Sequence, residues 1–118
     1  MERHPMIVAG FGFRSGVTLA ALQDALARAG GAKGVTHLAT LAAKAAGLEP
    51  LGRALGLPVL ALDPALLRDC DPDPALFGTS SVSEAVALVA AGPGARLRGP
   101  RAVSADGTAT AAIAEGAG

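Results

Sequence analysis

Met6-Ile7-Val8-Ala9-Gly10-Phe11-Gly12-Phe13-Arg14-Ser15-Gly16-Val17-Thr18-Leu19 is the stretch from which the fold can be read. Met6 to Ala9 is a continuous apolar run bounded by Pro5 and Gly10, the pattern of a strand buried on both faces. Gly10 to Gly16 predicts a glycine-rich turn. Thr18 is a good helix N-cap, and Leu19, Leu22, Ala25, Leu26 and Ala29 recur at helical spacing, with Gln23, Asp24 and Arg28 on the other side. Gly30-Gly31 predicts the helix stop. Strand, glycine turn and helix together form the opening unit of an α/β domain.

Working outward, Val35 to Thr40 is rich in β-branched residues and predicts a second strand. Leu41 to Ala46 could carry on as helix, with Gly47 ending that turn. Pro50 to Leu55 predicts a short helix closed by Gly56, and Pro58 to Leu62 a third strand with proline at its first residue. Asp63-Pro64 predicts one helical turn over Ala65 to Arg68, and Asp71-Pro72-Asp73-Pro74 an extended loop. Ser81-Val82-Ser83-Glu84 fits the capping box of a further helix, with Val82, Ala85, Val86 and Val89 on its buried face. Arg98 to Val103, a turn at Ala105-Asp106-Gly107 and Thr108 to Ala114 predict a terminal hairpin, with Glu115 to Gly118 frayed. The expected architecture is one α/β domain over residues 1–118, with helices packed on a mixed, largely parallel sheet and a C-terminal hairpin.

Apolar residues make up 51% of the 118 residues and charged ones 17%, a globular composition. Lys plus Arg equals Asp plus Glu at 10 each and aromatic residues are 3%, so neither a net field nor stacking platforms exist for nucleic acid. The single cysteine, Cys70, has no partner for an internal disulfide and no metal-ligand spacing around it, which suits a reducing cytoplasm. The apolar run after Pro5 is too brief for a signal h-region, and no segment approaches the ~20 apolar residues that span a bilayer. A cytoplasmic protein without membrane or nucleic-acid partners is expected.

A glycine turn between strand and helix leaves backbone N–H groups at the positive end of the helix dipole, where phosphate or carboxylate is stabilised, and Arg14 adds a fixed charge. The spacing Gly10, Gly12, Gly16 is GxGxxxG, one residue longer than the dinucleotide fingerprint, and no Gly-Lys-Ser/Thr follows for a P-loop. No cofactor and no metal are therefore expected. A tight βα turn and an anion site explain the glycines about equally well. Lys44, just after the second strand, is either a solvated cation or a reach toward a ligand at the strand ends. His37 has no visible Ser, Cys or carboxylate partner. Glu84 is either a general acid or base or the capping-box glutamate, the cap being the favoured role, and Ser80 and Ser81 have the same double reading. Cys70 lies between Asp69 and Asp71, which disfavour the thiolate. No catalytic triad, carboxylate pair or metal cluster stands out.

Taken in order, Val8 to Gly16, Leu38-Ala39-Thr40 with Lys44, Leu51 to Pro58, Ser81-Val82-Ser83-Glu84-Ala85 and Thr110-Ala111-Ala112-Ile113-Ala114 resemble the CobE/CbiG C-terminal family of cobalamin biosynthesis over nearly the whole chain. The resemblance implies work on the corrin ring. The larger CbiG proteins are similar to cobalt-precorrin-5A hydrolases, which open a lactone and release acetaldehyde, and this chain looks like their C-terminal domain alone. Where that family usually has a glutamate three residues after the lysine, this chain has Gly47, with Glu49 two further along; where it commonly has a lysine before the last strand, this chain has Arg101.

Corrin precursors carry acetate and propionate groups, and a polycarboxylate calls for cations and free N–H groups. The residues expected to bind a precorrin or other corrinoid are therefore Gly10, Gly12, Phe13, Arg14, Ser15, Gly16, Thr40, Lys44, Ser81 and Arg101. If the domain is instead a lactone hydrolase, Lys44 would stabilise the oxyanion while Glu84 or His37 handles protons. A third reading makes the chain an interaction subunit of another pathway enzyme.

Overall fold

The computed structural model describes residues 6–65 and 82–116. The predicted turn at Ala65 to Arg68 falls almost wholly outside these residues, as do the loop at Asp71 to Pro74, Cys70 and Ser81. Among the described residues, three α-helices, α1 (Leu19–Ala29), α2 (Ala45–Leu55) and α3 (Val82–Ala91), pack on a sheet of six strands. The strands are β1 (Ile7–Phe13), β2 (His37–Leu41), β3 (Val59–Leu62), β4 (Arg96–Leu97), β5 (Ala102–Val103) and β6 (Ala109–Glu115). The order is β3-β2-β1-β6-β4, with β5 also paired to β6. Strands β1, β2 and β3 are mutually parallel, and β6 runs antiparallel to β1, β4 and β5.

Alternation along the strands sorts the core into two layers. Ala9, Phe11 and Leu38 face Leu22 and Leu26 of α1 and Leu48 and Leu51 of α2. Val8 and Ala39 face the other way, against Val86 of α3. Gly10 belongs to this second face. A Cβ on it would run into the Ser83 carbonyl oxygen and come within 2.7 Å of the Ala87 amide nitrogen, so α3 rests directly on the backbone of β1.

Four local expectations need correction. The first strand does not stop at Ala9: it pairs with β6 from Ile7↔Glu115 to Phe13↔Ala109, so Gly10 and Gly12 are strand residues. Residues 45–55 form one helix rather than a turn ended by Gly47 and a second helix from Pro50. Leu48, Leu51 and Leu55 align on one face across both breakers, and Pro50 is exposed, where water can serve the carbonyl its missing N–H leaves behind. Of the expected strand Arg98 to Val103 only Ala102–Val103 (β5) is strand; β4 (Arg96–Leu97) lies just before that stretch, and Gly99-Pro100 falls in the break between the two. Glu115 is not frayed but closes β6 against Ile7, and the Gly116 N–H donates to the Met6 carbonyl at 2.7 Å.

The β5–β6 turn is built by carboxylates. Asp106 Oδ1 accepts from the Ser104 hydroxyl at 2.7 Å and from the Thr108 amide and hydroxyl at 3.0 and 2.7 Å. Asp24 of α1 accepts from the Ala105 amide at 2.7 Å and pairs with Arg28 at 2.9 Å. The Ser104 hydroxyl, followed by the Thr108 donors, holds the Asp106 carboxyl down to about 2, and the Ala105 amide, followed by Arg28, lowers that of Asp24. Because both are depressed in the fold, their stabilisation is complete above the ordinary carboxylate value and is lost as pH falls through the folded value. Urea midpoints of wild type and Asp106→Asn should differ by a constant amount above about pH 5 and converge as pH drops from about 4 towards 2.

Candidate functional site

The parallel strands end at one edge of the sheet, the place where open α/β sheets bind ligands. Beyond β1, Arg14-Ser15-Gly16-Val17 forms a tight turn in which the Val17 N–H donates to the Arg14 carbonyl at 3.2 Å. Gly16 stands at the third position with φ 81°, the conformation a type II turn requires there. The turn is tied to the hairpin as well, since the Arg14 N–H donates to the Thr108 carbonyl at 3.0 Å. Thr18 then caps α1, its hydroxyl accepting from the Ala21 N–H at 3.1 Å.

Beyond β2, a single 3-10 turn, Ala42–Lys44, leads into α2. It carries Lys44 back over the end of β1, where Nζ stands 5.7 Å from the centre of the Phe13 ring, within cation–π range. Phe13, Arg14, Ser15, Gly16, Val17, Ala43, Lys44 and Gly47 line an open hollow of about 310 Å³. Among the described residues, neither Arg14 nor Lys44 has a carboxylate within 4.0 Å; the ion pairs are Arg28–Asp24, Arg98–Glu115 and Arg101–Glu84. Two unneutralised cations beside an aromatic ring and a turn with exposed Ser15 can hold an anion carried on an apolar arm.

The residues expected from sequence divide accordingly. Phe13, Arg14, Ser15, Gly16 and Lys44 come together in the hollow. Gly10 and Gly12 lie behind it within β1, under α3. Thr40 is fully buried and its hydroxyl donates to the Phe11 carbonyl at 2.9 Å, fastening β2 to β1. Arg101 does not line the hollow: its Nη1 lies 3.9 Å from Glu84 Oε1, and its amide donates to Glu84 Oε2 at 3.3 Å, so Glu84 ties α3 to the segment before β5. His37 opens β2 at the opposite edge, with Nδ1 2.7 Å from the Thr36 hydroxyl. Gly47 is a lining residue that the sequence registered only as a departure from a family pattern; its position three residues after Lys44, on the same helical face, was the available signal.

Among the described residues no group of three His, Cys, Asp or Glu could hold a metal ion, and no helix is long and apolar enough to cross a membrane.

Comparison with known proteins agrees with this architecture. The family described as cobalamin synthesis G C-terminus (CbiG) matches residues 7–114. Cobalamin biosynthesis protein chiG from Agrobacterium tumefaciens is 38% identical, its crystal structure superposing with a TM-score of 0.76 over 96% of this chain and 100% of that one. The crystal structure of CobE, from the cobalamin biosynthetic pathway, is 31% identical with a TM-score of 0.73, over 98% of this chain and 93% of that one. A cobalamin biosynthesis protein G homolog from Sulfolobus solfataricus shares the fold at 16% identity and a TM-score of 0.73, this chain spanning 38% of its length. A search of curated protein sequences returns no match. With the match running from the first strand to the last, the chain belongs to the cobalamin synthesis G C-terminal family, which includes the CobE-like proteins.

Proposed function

We propose that the protein binds a corrin-ring intermediate by its carboxylates at the Arg14–Lys44 hollow, in an accessory or carrier role in cobalamin biosynthesis. The observation that carries this reading is the pair of cations without carboxylate partners among the described residues, at the edge where the parallel strands end. Each charge-assisted contact to a ligand carboxylate contributes roughly 1.5–3 kcal/mol. The lactone-hydrolase reading asks Lys44 to act with either Glu84 or His37, and it gains no support from their placement: Lys44 lies beyond the end of β2, His37 at its start, and Glu84 on α3 against Arg101.

Charge recognition separates a corrinoid with free carboxylates from the same ring with those groups amidated. Titrated side by side in low salt, hydrogenobyrinic acid should bind at least roughly tenfold tighter than its amidated form, and added salt should weaken the acid more than the amide. Equal affinity for the two would overturn the proposal.

A further inference from the structure

Gly47 is an exposed helical residue beside the hollow, yet its lack of a side chain has a specific consequence. A Cβ there would come within 2.7 Å of Phe13 Cε2 and 3.1 Å of Cζ, and so would push the ring out of its seat. The same ring lies under the Lys44 ammonium. We propose that Gly47 is a positioning residue: the space it leaves seats the Phe13 ring, the ring seats the Lys44 ammonium, and the ammonium faces Arg14 across a hollow suited to one aliphatic carboxylate arm. This rests on the carboxylate-binding reading above and deepens it.

The volume limits the ligand. About 310 Å³ is at the small end of ligand-sized cavities, roughly 300–1,000 Å³. A short arm fits, its methylenes against the ring and its carboxylate between the two cations, while the macrocycle that bears it stays outside the mouth. An acidic side chain at position 47 would reverse the arrangement, because three residues after Lys44 it would displace the ring and neutralise the ammonium.

The test couples Gly47→Ala to Phe13→Leu. Alanine is the better helix former, so Gly47→Ala keeps α2 intact. In wild-type protein the ε-methylene protons of Lys44 should show an upfield ring-current shift by NMR, and both single variants should return it towards the value of free lysine. Affinity for hydrogenobyrinic acid should fall roughly two- to fivefold in Gly47→Ala, the scale of an exposed cation–π contact. In the Phe13→Leu background, Gly47→Ala should weaken binding no further, since no ring remains to be displaced. An unchanged Lys44 shift in Gly47→Ala, or an undiminished affinity loss without the ring, would overturn the positioning role. If wild type shows the ring-current shift but no affinity for hydrogenobyrinic acid, the carboxylate-binding reading fails and the ligand role of Gly47 with it, a result distinct from a failed shift.

Discussion

Gly10→Ala should destabilise the fold by about 3 kcal/mol or more, the upper end of what overpacking a core produces. The reason is the kind of atom the new methyl would meet. A side chain can leave by changing rotamer, but the Ser83 carbonyl and the Ala87 amide are backbone of α3, so the helix itself must lift from the sheet. Helix α3 supplies the packing for Val8 and Ala39 through Val86, and lifting it loosens that whole layer. For a domain of this size the melting temperature should drop by roughly 10 °C or more, and the urea midpoint should fall in parallel. Gly16→Ala provides the contrast. Its Cβ meets nothing, and the penalty there comes from φ 81° alone, roughly 1 kcal/mol.

The second large effect is on binding. Replacing Arg14 and Lys44 together by alanine should lower affinity for hydrogenobyrinic acid by roughly a hundredfold or more, since on the proposed reading two charge-assisted contacts of roughly 1.5–3 kcal/mol each are removed. Both side chains project from the sheet edge and neither belongs to the buried core, so thermal stability should stay within about 1 kcal/mol of wild type. Arg101→Ala is the internal control. Its guanidinium is held at Glu84, away from the hollow, and its loss should weaken binding far less than that of Arg14. The comparison is read by calorimetric titration at fixed low salt, because exposed cations are screened.

The sequence discloses the layers of this fold better than its seams. The alternation of apolar runs and helical periods was enough to place β1, α1, β3 and β6, because burial on a regular element leaves a period. It was not enough for Gly10 and Gly12. A glycine chosen for φ > 0 and one chosen so that a helix can touch the backbone look the same in a sequence, and only the packing of α3 distinguishes them. Pro50 and Gly47 likewise read as helix breakers, yet the shared face of Leu48, Leu51 and Leu55 carries α2 through both.

The grouping of residues at the candidate site was legible in part for a related reason. Arg14 and Lys44 each follow a parallel strand, and right-handed crossovers bring consecutive strand ends to one edge. Their meeting therefore follows from topology that the sequence implies. Arg101 and Glu84 find each other across sixteen intervening residues through the docking angle of α3, and no periodicity encodes that angle. Thr40 lies near the right edge, but the parity of its strand turns it inward, to the Phe11 carbonyl.

The most direct test is a crystal structure of the protein with hydrogenobyrinic acid bound. A corrinoid carboxylate should lie within hydrogen-bonding distance of both Arg14 and Lys44, its arm against the Phe13 ring and its macrocycle across the mouth of the hollow. A corrinoid bound elsewhere, with the hollow between Arg14 and Lys44 unoccupied, would contradict the proposed site.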